Sequence, residues 1–168
     1  MTSEDRQRLH ELMHLLISHR GQLDYPVHDV RGPKDAATFA LNHDQAVHRL
    51  TTGGRLMFDC SEAATCLFKW TKPLHDPNGL GYAHAGYTGT MLAHLPHYSD
   101  AKRARVGALA VFGPGTGVHV AVCLEPDPKH GDPELFSHGA EQAAGPIRLQ
   151  VLAAALPGPV TWLNVSGL

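Results

Sequence analysis

The chain changes its hydrophobic period part-way along, and that change limits the folds open to it. Up to about residue 70 apolar residues recur at helical spacing; from about residue 106 they come in short runs broken by glycine and proline. Leu9, Leu12, Met13 and Leu16 follow an i, i+3, i+4, i+7 stripe, which predicts a helix over residues 4–19. Thr2 or Ser3 can cap it, and Gly21 can stop it. A second helix is expected over 35–50 with Phe39, Val47 and Leu50 inward. A third is expected from Cys60 to Trp70, burying Ala63, Ala64, Leu67 and Trp70. Val106–Phe112 and Val118–Glu125 read as a hairpin about the Gly113–Gly117 turn. Shorter strands are expected at Leu135–His138, Ile147–Leu149 and Val160–Val165.

Helices first and strands later predict an α+β fold, its N-terminal helices packed on an antiparallel sheet. At 168 residues the chain is expected to be one domain. Its helical part covers about 1–70, a long loop about 71–105 and a sheet part about 106–168. A structureless stretch of that length in a compact domain points to function.

Charge narrows the partners. The 14 Lys and Arg against 16 Asp and Glu give a net charge of −2, with no long basic run. That argues against a nucleic-acid groove, whose affinity depends on neutralising phosphates. No stretch of 18 apolar residues exists to insert in a bilayer, and no apolar segment behind a basic start marks a secretory signal. The protein is therefore expected to be made in the cytoplasm and to be a monomer. Three cysteines, Cys60, Cys66 and Cys123, make a poor disulfide framework.

Thirteen histidines raise the question of metal or acid–base chemistry. His10-Glu11-Leu12-Met13-His14 matches the H-E-x-x-H pattern, which sets two imidazoles on one helical face for zinc with the glutamate as base. No third ligand follows at the usual spacing, and Leu12 and Met13 serve the core. A solvated face is the expectation, so neither metal nor cofactor is expected. A zinc metallopeptidase built on these residues is kept as an alternative.

Cys60 lies between a glycine turn and an amphipathic helix. A thiol at a helix start meets unpaired N–H groups and the positive end of the macrodipole, which favour the nucleophilic thiolate. Cys66, mid-helix, and Cys123, inside an apolar strand, read as buried hydrophobes. A nucleophilic cysteine needs a base, and the base an orienter. His119 opens one strand and His138 closes the next, and adjacent strands lie about 4.8 Å apart. The expected triad is Cys60 as nucleophile, His119 as base and His138 holding His119. His75, His84, His94 and His97 fall in the long loop, where each reads as surface or cleft lining.

Asp59-Cys60-Ser61 at a helix start, Val106-Gly107-Ala108-Leu109 before a strand and His119-Val120-Ala121-Val122 together resemble the NlpC-type papain-like cysteine peptidases. Residues 76–82, Gly86-Tyr87-Thr88-Gly89-Thr90 and Ser137-His138-Gly139 further resemble the peptidase domain of endolysins from phages of actinobacteria. The likeness covers roughly residues 50–148. It implies a papain-like core and a peptidoglycan hydrolase acting on the bacterial cell wall. The implied reaction cleaves amide bonds of stem peptides through a thioester on Cys60. The resemblance places Asp59 and Ser61 against substrate, while Asp59 reads equally as a helix cap. Tyr25, Tyr82 and Tyr87 are candidate cleft walls. A papain-like acyltransferase or another thiol hydrolase shares the same residues and is the alternative.

Overall fold

A reciprocal cap fixes the start of the first helix, α1 (Ser3–Ser18). The Asp5 amide donates to Thr2 Oγ1 at 3.1 Å, and the Thr2 amide donates to Asp5 Oδ2 at 2.9 Å. The expected stripe of Leu9, Leu12, Met13 and Leu16 is buried. The computed structural model describes residues 1–26, 36–71, 76–82, 86–139 and 142–165. After α1 a 3-10 turn over Arg20–Gln22 leads into β1 (Leu23–Asp24).

The expected second helix is two helices, α2 (Ala36–Ala40) and α3 (His43–Thr51). Asn42 divides them because its side chain accepts from the Gln45 amide and caps α3. Thr38, Ala46 and Leu50 are buried there, while Phe39 and Val47 are half-buried. After β2 (Leu56–Met57) comes α4 (Cys60–Thr71), buried from Cys60 through Phe68. Burial of successive residues all round, the polar Ser61, Glu62 and Thr65 included, marks a helix enclosed by other elements.

The segment read as a long loop carries structure. It contains α5 (Thr88–His94), β3 (His97–Tyr98) and a 3-10 turn at Ala101–Arg103. His94 and His97 are exposed, and His75 and His84 lie outside the described residues. The sheet part follows as β4 (Leu109–Phe112), β5 (His119–Glu125), β6 (Glu134–Gly139), β7 (Gln142–Arg148), α6 (Leu149–Ala155) and β8 (Val160–Leu163). The β4–β5 hairpin forms as expected. Its first strand starts later than the apolar run because Gly107 turns the chain at φ +87°. The helix α6 was not expected, and the fourth strand is longer than Ile147–Leu149.

Six strands join in the order β3-β8-β4-β5-β6-β7, each pair antiparallel. The fold is thus α+β on an antiparallel sheet. One face, with Val111, Val120, Val122 and Phe136, packs on α1 and α4; the other, with Phe112, Ala121, Leu135 and Trp162, packs on α6. A separate parallel ribbon pairs β1 with β2, Leu23 opposite Leu56 and Asp24 opposite Met57. Among the described residues no helix is long and apolar enough to cross a membrane.

Candidate active site

Asp59 sets the start of α4. Its Oδ1 accepts from the Glu62 amide at 2.8 Å and from the Ser61 hydroxyl at 2.9 Å. Both side chains are buried, Asp59 at 7% exposure and Ser61 at 5%. Of the two sequence readings of Asp59, the cap is the one these bonds build, and Ser61 is tied to it. Capping leaves Cys60 as the first residue of the helix.

The β1–β2 ribbon brings a second segment to the thiol. Asp24 pairs with Met57, so the residue after each strand, Tyr25 and Phe58, emerge side by side just ahead of Cys60. Arg55 locks the ribbon with two hydrogen bonds to Asp24, at 2.7 and 2.5 Å, and this pairing holds the Asp24 carboxyl below its usual range. The Tyr25 hydroxyl then hydrogen-bonds the Cys60 thiol. Of the three tyrosines picked from the sequence, Tyr25 is the one the ribbon carries to the sulfur.

On the sheet side the Val120 amide and the Ser61 amide also point at the Cys60 sulfur. The Val120 N–H belongs to the His119–Val120 peptide, so the thiol lies against the backbone of the candidate base. Burial, with the Asp59 charge second, outweighs these donors and pushes the thiol up to about 11. This corrects the expectation of a depressed thiol pKa. A helix start is worth about 0.3–1 kcal/mol, less than one pKa unit at ~1.4 kcal/mol per unit. With 9% of its surface exposed, Cys60 loses more from desolvation than the helix returns.

His119 and His138 do not meet as expected. Val122 opposes Phe136 and Cys123 opposes Leu135, so residues of like parity share a face across β5 and β6. His119 therefore shares a face with Ser137, and its Nε2 lies 2.9 Å from Ser137 Oγ. The Phe112 ring flanks it at 6.1 Å. His138 falls on the other face, toward Phe58 and Tyr25, with ring separations of 5.1 and 5.4 Å. Its Nε2 donates to Phe58 O at 3.0 Å and to Asp24 O at 3.3 Å. Carbonyls only accept, so this nitrogen carries the proton. Its buried Nδ1 has no hydrogen-bond partner among the described residues. His138 therefore clamps the two ribbon exits together and does not hold His119. Ser137 makes that contact, and the sequence reading missed it.

A network of short loops walls this region. Burial disfavours the Asp76 carboxylate, but the amides of Asn78, Tyr82 and Leu80 together hold it below its usual range. Asn78 donates to Thr65 Oγ1 on α4 and accepts from the Tyr87 amide and the Thr90 hydroxyl. Tyr82 is half-buried at φ +58°, and burial raises its hydroxyl pKa. Tyr87 is the half-buried residue before α5. Tyr82 and Tyr87 thus belong to a folded wall tied to α4. A cavity of about 200 Å³, lined by Arg6, Tyr98, Arg103, Arg105 and Asn164 among others, includes none of the candidate site residues.

At His10 and His14 the structure departs from the sequence reading in one respect. A third side chain of a type that can ligate a metal, Glu125 from the end of β5, lies with them. Glu11, the base of the motif in the zinc reading, bonds Gln7 at 2.9 Å. Compared with family models, curated proteins and solved structures, the chain matches none.

Proposed function

We propose that the protein is a thiol hydrolase with a papain-like, NlpC-type core that cleaves amide bonds in peptidoglycan stem peptides. One observation carries the reading: a capped helix start presents Cys60 to the His119–Val120 peptide, while Ser137 engages His119 Nε2. The substrate class rests on the resemblance of the Asp59-Cys60-Ser61 and His119-Val120-Ala121-Val122 motifs, and places the action at the bacterial cell wall.

In the proposed reaction the raised thiol enters as S–H. His119 Nδ1 takes its proton as Sγ attacks the scissile carbonyl, forming the C–S bond. The Cys60 N–H, an orphan donor of the helix start, faces the oxyanion. The C–N bond breaks, and the leaving amine receives the proton from His119. Water, deprotonated by His119, then attacks the thioester and releases the carboxylic acid and the thiol. Ser137 is the positioning residue that replaces His138 in the triad, and Tyr25 flanks the sulfur.

The test is turbidity of permeabilised actinobacterial cells with mass spectrometry of the released peptides. Cleavage at one amide bond is expected, lost in Cys60→Ala and His119→Ala while circular dichroism stays native. Full activity in Cys60→Ala refutes the thiol mechanism. Cleavage that survives Cys60→Ala but stops with chelator makes the protein a zinc metallopeptidase. Products joined to an added amine, in place of hydrolysed ends, make it an acyltransferase.

A further inference from the structure

We infer that His10, His14 and Glu125 form a binding site for a divalent transition metal, Zn²⁺ in kind, that clips α1 to the end of β5. The three donor atoms lie within 4.8 Å of one another. His10 Nε2 is 2.5 Å from Glu125 Oε1, His14 Nε2 is 3.3 Å from His10 Nε2, and His14 Nε2 is 3.9 Å from Glu125 Oε1. Metal–ligand bonds of about 2.0–2.1 Å at tetrahedral angles set donor–donor edges near ~3.3 Å. Each edge is within about 1 Å of that value, a movement that exposed side chains make freely.

Hydrogen bonds satisfy this triangle poorly. A carboxylate only accepts, so His10 Nε2 must carry its proton toward Glu125. His14 Nε2 then faces an N–H already engaged, and its own distance to the carboxylate exceeds a hydrogen bond. A cation shared by two imidazole lone pairs and one carboxylate satisfies all three. The donor set suits zinc, whereas calcium and magnesium favour all-oxygen ligands.

The backbone aims the third ligand. Cys123 faces the α6 side of the sheet, and strict alternation would send Glu125 the same way. The β5–β6 register shifts between Cys123 and Glu125. That bulge brings the carboxylate to α1, whose buried stripe packs on the opposite face. The pair on α1 is the sequence motif whose missing third ligand told against zinc, and β5 supplies it from far along the chain. The site stands apart from Cys60 and does not rest on the proposed hydrolase reaction.

Titration calorimetry of chelator-treated full-length protein with Zn²⁺ alone tests it, with Co²⁺ absorption reporting a tetrahedral site. One equivalent is expected to bind. His14→Ala and Glu125→Gln, both exposed positions, should each weaken binding at least about tenfold. Glu11→Gln should bind as wild type, and Ca²⁺ should not bind. Zn²⁺ should raise the Tm of the wild type and leave that of His14→Ala unmoved. Zinc binding that is equally tight in His14→Ala and Glu125→Gln overturns the assignment, as does absence of binding at micromolar Zn²⁺. Loss of binding in Glu11→Gln overturns it in favour of the motif's own glutamate.

Discussion

Ser137 and His138 are sequence neighbours with different work to do. Ser137 Oγ meets His119 Nε2, whereas His138 Nε2 ties Phe58 O to Asp24 O. Under the proposed reaction, Ser137→Ala leaves nucleophile and base in place and removes only the contact that sets the imidazole. The expected outcome is a fall in kcat of about tenfold or more, below the ~10²–10⁴ that general-base catalysis contributes as a whole. KM should change little, the pH profile of kcat/KM should move, and Ser137→Asn should restore part of the rate. His138→Ala acts through the fold. It leaves the buried Phe58 carbonyl without its imidazole donor, at a cost of about 1–3 kcal/mol, while the part-buried Asp24 carbonyl still accepts from the Phe58 amide. Its urea midpoint should drop, and His138→Gln, which keeps a side-chain donor, should recover part of the loss. Wild-type kcat in Ser137→Ala removes Ser137 from the site. An unchanged midpoint in His138→Ala removes the clamp.

At the scale of elements, the parts of the fold with strong local signals were legible and the parts set by tertiary pairing were not. The start of α1, the start of α4 at Cys60 and the β4–β5 hairpin each follow from a cap, an apolar stripe or a glycine turn. By contrast α5 and α6 are seven residues each, and neither has a side-chain cap bond at its N-terminus. The choice of Ser137 over His138 depends on the register of β5 against β6, where a one-residue slip exchanges the faces. No local pattern encodes that register, and the bulge before Glu125 hid the third donor of the proposed metal site for the same reason. The wall around the candidate site depends on one close approach. Gly86 sits at φ +115°, and a Cβ there would lie 2.4 Å from Ser61 O and 2.6 Å from Thr65 Oγ1, both on α4. Gly81, at φ +67°, has open space around it. Gly81→Ala is therefore expected to cost only backbone strain, about 1–2 kcal/mol, and Gly86→Ala clearly more. Thermal unfolding of the two variants gives the comparison. Equal Tm losses would show that the loop is not seated on α4.

Across the whole molecule, buried titratable groups confine stability to a band of pH. Burial is the main reason His138 has a pKa below 6.5 in the folded state. The unfolded chain takes up a proton near 6.5 that the folded protein refuses, so the His138 contribution is intact above that pH and is lost as pH falls through it. Asp76, held below 3.8, adds a further loss at lower pH. The thiols work in the opposite sense. Burial pushes Cys60 from 9.0 to about 11 and Cys123 from 9.0 to about 12. Each folded thiol keeps a proton that the unfolded chain releases above about 9, so its contribution is complete below that pH and disappears as pH rises toward 11 or 12. Tyr98, raised by burial to about 12, adds to the same limb. Urea midpoints should therefore plateau between roughly pH 6.5 and 9 and fall on both sides. The two limbs belong to different residues, so they separate by mutation. His138→Gln should flatten the decline that sets in below about pH 6.5 and leave the alkaline side as it is. Cys123→Ala, at a fully buried position remote from the candidate thiol chemistry, should flatten the alkaline side and leave the acid side alone. If both variants keep the wild-type pH dependence after correction for their overall midpoint shift, protons on these buried groups do not set the band.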